Sequence, residues 1–222
     1  MNKKALINFD ALKKGIVYLV LFFILPGLVT IPFSFFITKT TPLLENIETI
    51  ISYIGTTIIF ILISFKDIKK DIKSFSFKIF KKAVIYWLIG LAIMITSSFI
   101  ISWIGVPTPP NEVTNDTNLL ENPIVQIILG VICFPIIEEI VFRLSVKDLS
   151  SNKHIDAIST GLFFAMLHIP EAFASPIMLL HLIPYAACGI AFGYCYKNTN
   201  NIMSTISTHA LHNLLNVIEI FL

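Results

Sequence analysis

Eight polar side chains, six of them ionisable, lie inside or at the end of stretches that are otherwise apolar. They are Glu138, Glu139, Arg143, His168, His209, His212, Asn213 and Asn216. An ionisable group at membrane depth costs about 2.5–3.5 kcal/mol or more, so such a residue marks a functional site by default. Carboxylates, imidazoles and amides together supply a general base and donors for an oxyanion. A metal site or a proton path would use the same residue types.

The adjacent glutamates cannot share one environment on a helix, because successive residues are about 100° apart. Glu139 and Arg143 are four residues apart and can pair on one face, which leaves Glu138 for another partner. Pro135 cannot donate a hydrogen bond to the carbonyl of Val131, so we expect the helix to loosen just before the glutamates. An ion-pair cluster at the membrane interface, with the arginine reaching water, would explain the pair but not Glu138.

His168 and the last apolar segment carry the remaining polar groups. Phe164 lies one turn before His168 on the same helical face, where it could wall a pocket. Five polar residues of the last segment fall within an arc of about 100° on a helix. They are Thr205, His209, His212, Asn213 and Asn216. This stripe must face other helices or water, either as interhelical hydrogen bonds or as part of a site. His181 has no such companions, and we predict a structural role for it.

The elements that must position these residues are membrane spans. Hydrophobic residues make up 55% of the 222-residue chain and charged residues 14%, whereas soluble domains carry about 25% charged residues. This composition excludes a disordered chain, a nucleic-acid binder and an ordinary cytosolic enzyme. A span needs about 20 mostly apolar residues, and seven stretches fit. They are residues 15–37, 49–65, 83–105, 124–144, 155–169, 177–196 and 202–222.

We therefore predict an all-α fold, a polytopic membrane helix bundle with about seven transmembrane helices, because backbone groups in lipid need internal partners. The fifth stretch is short and could be partly re-entrant. With seven spans, 14 of the 15 lysines fall on one side and Lys39 on the other. The positive-inside rule then places the N-terminus in the cytoplasm. Residues 66–82 are predicted to form a solvated basic loop, and residues 106–123 a flexible external loop that could act as a lid.

Three motifs in chain order carry a family resemblance: Glu-Glu-x-x-x-Arg, Phe-x-x-x-His and His-x-x-x-Asn, each on a predicted membrane helix. Their order resembles the CAAX-protease and bacteriocin-processing family (CPBP, also called Abi) of intramembrane endopeptidases. The resemblance covers residues 122–222, which would form the catalytic core. Residues 1–121 match only as generic spans and would form an N-terminal part with three helices and the basic cytoplasmic loop.

The resemblance implies a role for each motif residue. Glu138 and His168 would activate a water molecule. His209 and Asn213 would stabilise the oxyanion of the tetrahedral intermediate. No metal would be needed, although zinc held by Glu138, His168 and His209 is the alternative.

Other residues would support this site. The resemblance implies that Glu139 and Arg143 form a supporting pair, and Phe164 belongs to the second motif. His212 and Asn216 also fit the His-x-x-x-Asn spacing. The sequence around the first His-x-x-x-Asn pair is more similar to the family motif, so the second pair would support the site or the fold.

The predicted function is that of an intramembrane endopeptidase in a bacterial plasma membrane, open toward the cytoplasm. Its partners would be the lipid bilayer and a peptide or membrane-associated protein substrate, with no nucleic acid. One alternative is a non-catalytic bacteriocin self-immunity protein that acts by binding. A small transporter is another, and the lack of inverted repeats counts against it.

Overall fold

The computed structural model describes residues 7–35, 41–170 and 175–222. Within these ranges the chain is helical and forms no strand beyond one isolated bridge between Ile7 and Ser150. Nine α-helices follow in chain order, the sixth interrupted by π-helical turns. They are α1 (Phe9–Ser34), α2 (Pro42–Ile63), α3 (Phe65–Ser74), α4 (Phe77–Trp103), α5 (Pro110–Glu121), α6 (Pro123–Leu144), α7 (Lys153–His168), α8 (Leu182–Thr199) and α9 (Ile202–Phe221).

The seven predicted spans all coincide with helices. Within the part of the chain that the structure describes, five helical segments are long and apolar enough to cross a membrane. They are α1, α2, α4, α6 and the segment Pro176–Thr199, which joins a 3-10 turn to α8. The two remaining helices, α7 with 16 residues and the polar-striped α9, are not among them. The all-α polytopic fold is confirmed, and the count of seven spans stays a prediction.

Some sequence-based predictions fall on residues that lie outside the described ranges. They concern the end of the first span at Ile37 and the charges of Lys3, Lys4, Lys39 and Glu171.

The basic segment predicted as a loop is instead helical over most of its length. In α3 the lysines are exposed, while Ile68 and Asp71 on the opposite face are buried. The Asp71 carboxylate accepts a hydrogen bond from the Ile202 backbone N–H at 2.7 Å. The backbone carbonyl of Asp71 accepts another from the Asn201 side-chain amide at 2.7 Å. Polar composition suggested a loop, but one buried face is enough to hold an amphipathic helix.

The predicted external loop is also helical, because it contains α5. Pro110 occupies the first turn, where a missing N–H costs nothing, and Leu119 is buried. The helix is fixed near both ends by side chains: His181 Nε2 hydrogen-bonds the Pro107 carbonyl at 3.0 Å, and the Asn46 amide donates to Asn122 at 2.7 Å.

Helix α8 packs between α4 and α7, and small residues make this close approach possible. A Cβ on Gly161 of α7 would lie 2.5 Å from the Ile190 backbone nitrogen, and one on Gly193 would lie 2.8 Å from the Ala157 carbonyl oxygen. At the basic end of the bundle, Lys197 of α8 pairs with Asp156 of α7 at 2.7 Å. The backbones of α7 and α8 therefore touch along the segment that leads to His168.

We expect Gly161→Val to lower the stability of the protein, because a branched side chain would force α7 and α8 apart. Overpacking of this kind typically costs about 1–3 kcal/mol. The measurement is thermal unfolding in detergent. Gly27→Ala in α1 is the control, since nothing lies within 4 Å of a Cβ there. An unchanged melting temperature for Gly161→Val would contradict the close helix contact.

Candidate active site

Helix α6 positions both glutamates and departs from α-helical geometry on either side of them. The stretches Ile128–Cys133 and Ile140–Leu144 are π-helical, and the α-helical turn Phe134–Glu139 lies between them. The first π stretch ends just before Pro135, which has no N–H for the i–4 carbonyl. The loosening expected before the glutamates is therefore present, and such π turns are frequent at functional sites.

Glu139 and Arg143 form an ion pair in the centre of the protein. The Arg143 Nε and Glu139 Oε2 atoms are 3.4 Å apart, and the side chains are 1% and 0% exposed. The arginine also donates hydrogen bonds to the carbonyls of Gly189 at 3.1 Å and Phe142 at 3.2 Å. The predicted pairing is confirmed. The alternative of an arginine that reaches water at the interface is wrong, because α7 and α8 cover it.

The second oxygen of Glu139 holds His209. Its Oε1 atom lies 3.0 Å from His209 Nδ1, and the imidazole stacks on Phe192 with ring centroids 5.1 Å apart. Glu139 thus bridges α6 to α9, with the arginine on one side and the imidazole on the other. This contact turns His209 Nε2 toward Glu138 Oε2, at 3.7 Å.

His168 approaches the same glutamate from α7. Its Nδ1 atom must carry the proton, because it hydrogen-bonds the Phe164 carbonyl oxygen at 2.9 Å and a carbonyl only accepts. Its Nε2 atom therefore lacks a proton in the neutral ring, and it lies 3.9 Å from Glu138 Oε2. The Phe164 ring covers one face of the imidazole at a centroid distance of 4.1 Å.

Glu138 Oε2 consequently has two imidazole Nε2 atoms near it, at 3.7 and 3.9 Å, and neither distance is a direct hydrogen bond. At these separations a water that contacted both atoms of a pair would lie beside the line that joins them rather than between them. The carboxylate side chain is 11% exposed and the His168 ring 28%, so the group is sheltered but can be reached. The predicted partner for Glu138 is thus supplied by two histidines.

The rest of the polar stripe on α9 serves several contacts. The Asn213 amide donates to the Gly130 carbonyl at 2.7 Å, and His212 Nδ1 accepts from Trp87 Nε1 at 3.4 Å. Thr205 is buried beside His209, whereas Asn216 is exposed. The stripe was expected to face other helices or water, and Asn216 is the member that no helix covers. The structure joins Glu138, His168 and His209, while Asn213 is one turn from His209 and bonded to α6.

Three residues near His168 were not found from the sequence. Tyr185 of α8 packs against the imidazole with ring centroids 5.4 Å apart, and its hydroxyl donates to Glu112 of α5 at 2.9 Å. The Asn111 amide donates to the His168 carbonyl at 2.5 Å. The sequence did contain a signal for them. Tyr185 has a polar hydroxyl inside an apolar span, and Asn111 and Glu112 are polar residues at the start of α5. His181, in contrast, has the structural contact expected of it.

The part of the chain that contains this cluster matches a known protein family. Residues 120–215 match the family described as type II CAAX prenyl endopeptidase Rce1-like. The match contains the three motifs and therefore the whole cluster around Glu138. Over this stretch the chain is similar to the Rce1-like family of membrane endopeptidases, which confirms the predicted resemblance. No curated protein and no solved structure matches the chain.

Removal of the buried arginine should destabilise the protein strongly. Arg143→Leu leaves the Glu139 carboxylate without its cation in an apolar bundle, which typically costs about 3–5 kcal/mol. The double variant Arg143→Leu with Glu139→Gln should recover part of this loss, because no unpaired charge remains. Thermal unfolding in detergent measures both.

The matched control is Lys13→Ala, which removes an exposed ion pair to Asp10 with a 3.9 Å separation. We expect no measurable change there. Equal stability of Arg143→Leu and the wild type would show that the buried pair does not support the fold.

Proposed function

We propose that the protein is an intramembrane endopeptidase that hydrolyses peptide bonds in a peptide or a membrane-associated protein. The Rce1-like family of residues 120–215 supports a membrane protease. The observation that carries the proposal is the Glu138 carboxylate with two imidazole Nε2 atoms 3.7 and 3.9 Å from it.

In the proposed reaction, Glu138 and His168 position a water molecule, and one of them takes its proton as the oxygen attacks the carbonyl carbon of the substrate. The same proton then passes to the nitrogen of the leaving amine as the C–N bond breaks. His168 suits this role because its Nδ1 proton is committed to the Phe164 carbonyl, so its Nε2 is the acceptor.

The carbonyl oxygen becomes negatively charged in the tetrahedral intermediate and needs donors. We assign these to His209 and Asn213. A side-chain amide has two N–H groups, so Asn213 can keep its bond to the Gly130 carbonyl and offer the second one. His209 donates from Nε2 when both of its nitrogens carry a proton, and Glu139 fixes the direction of the ring through Nδ1.

The proposed setting is a bacterial plasma membrane with the N-terminus in the cytoplasm. Among the described residues, the lysines that support this orientation include those of α3 and Lys197, which pairs with Asp156. Lipid and a peptide substrate are the partners. His212 and Asn216, which lie beside Trp87 and at the surface respectively, have no part in the chemistry.

We expect Glu138→Gln and His168→Ala each to abolish peptide hydrolysis. The amide cannot take the proton from water, and alanine removes the second group that holds it; losses of about 100-fold or more are typical of such a base. The assay uses purified protein in proteoliposomes and a mixture of quenched fluorescent peptides, with new termini identified by mass spectrometry. Melting temperatures show whether each variant folds.

The matched controls are Glu121→Gln and His154→Ala, exposed residues of the same two types, the second at the other end of α7. Both should retain activity. Hydrolysis that survives in Glu138→Gln and His168→Ala would overturn the proposal. So would a wild type no more active than Glu138→Gln, which would favour a protein that acts by binding.

The proposal assigns no metal, and chelation tests this. No group of three or more His, Cys, Asp or Glu side chains among the described residues is arranged to hold a metal ion. We expect activity to be unchanged after dialysis against a strong chelator. Loss of activity that zinc restores would instead assign Glu138, His168 and His209 as ligands.

A further inference from the structure

The His168 ring packs against two aromatic rings. Phe164 covers one face at a centroid distance of 4.1 Å and an interplanar angle of 32°, and Tyr185 packs at 5.4 Å and 33°. The imidazole cannot rotate out of its plane without breaking one of these contacts. Since Nδ1 is bonded to the Phe164 carbonyl, the ring contacts also fix the direction of Nε2.

Phe164 precedes His168 by one turn in α7, so its contact follows from the helix itself. Tyr185 comes from α8 and has an independent tie. Its hydroxyl donates to the Glu112 carboxylate at 2.9 Å, which connects it to α5. The position of the tyrosine ring thus depends on where α5 lies.

The neighbouring residue of α5 contacts the same histidine. The Asn111 amide donates to the His168 carbonyl at 2.5 Å. This carbonyl ends α7 and has no partner within its own helix. Two consecutive residues of α5 therefore hold His168, Asn111 at the backbone and Glu112 through Tyr185. We call these three residues, Asn111, Glu112 and Tyr185, the His168 clamp.

We propose that Tyr185 is a positioning residue for His168 and that α5 controls it through Glu112. This inference rests on the proposed function for its effect on catalysis. The clamp keeps His168 Nε2 directed at Glu138, so the water-activating pair is complete only while α5 is docked. The segment between α4 and α6 is then a part of the catalytic apparatus rather than a connection.

The kinetic test separates the tyrosine ring from its hydroxyl. Tyr185→Leu removes the ring, and we expect kcat to fall about 10- to 100-fold with KM changed less than about twofold, because misplacement of a reacting group acts on the chemical step. Tyr185→Phe keeps the ring but loses Glu112, and an intermediate loss is expected. Glu112→Gln should lose less activity than Glu112→Ala, because its amide oxygen still accepts the tyrosine hydroxyl.

A double-variant cycle tests the link to α5. Glu112→Ala and Tyr185→Phe break the same hydrogen bond. The double variant should therefore be no slower than the slower of the two single variants. Tyr194→Phe is the matched control, since its hydroxyl lies on the same helix but bonds His154 at 2.7 Å, away from the site. A fall in KM alone, additive losses, or a rise in kcat on Tyr185→Phe would overturn the proposal.

A labelling experiment does not depend on activity. The three native cysteines, all buried, are replaced by alanine, and His168→Cys is introduced and labelled with a maleimide. Adding Tyr185→Leu should raise the labelling rate at least about fivefold, because the clamped position opens, whereas Tyr194→Phe should not. An unchanged rate would overturn the clamp. Faster labelling, together with a wild type that shows no peptidase activity, would retain the clamp and reject the proposed function.

Discussion

The buried charge network of Arg143, Glu139 and His209 is the constraint on which the rest of the site depends. A carboxylate with no solvent exposure is tolerated only because an arginine and an imidazole face its two oxygens. The network joins three helices. Glu139 and Arg143 belong to α6, Arg143 donates to the Gly189 carbonyl of α8, and His209 belongs to α9. The network therefore fixes three helices against one another before any catalytic group is placed.

Glu138 is useful because its neighbour satisfies the charges. The arginine and the Nδ1 atom of His209 are bound by Glu139, so among the described residues Glu138 pairs with the two Nε2 atoms. The two adjacent glutamates therefore have different roles. Glu139 supports the structure, and Glu138 stays accessible to water. A cation bonded directly to Glu138 would weaken it as a base.

The sequence was sufficient for the local chemistry and insufficient for the contacts between distant segments. The pairing of Glu139 with Arg143 follows from their spacing, and the need of Glu138 for another partner follows from the same geometry. The contacts of Asn111 and Tyr185 with His168 could not be predicted, because they join residues 57 and 17 positions apart. Asn111 also lies in a segment whose polarity suggested a loop. The same reason explains the helical α3, whose buried Asp71 has partners about 130 residues away.

The π-helical turns in α6 have a consequence for how sequences of this kind are compared. A π turn holds about one residue more than an α turn, so the face on which Glu138 and Glu139 emerge is set by the number of residues in Ile128–Cys133 as much as by their identity. Loss of one residue there would keep every motif letter intact yet rotate the wrong glutamate toward the histidines. In this helix the length of a featureless apolar stretch carries information, and an insertion or deletion in it is a change to the candidate site.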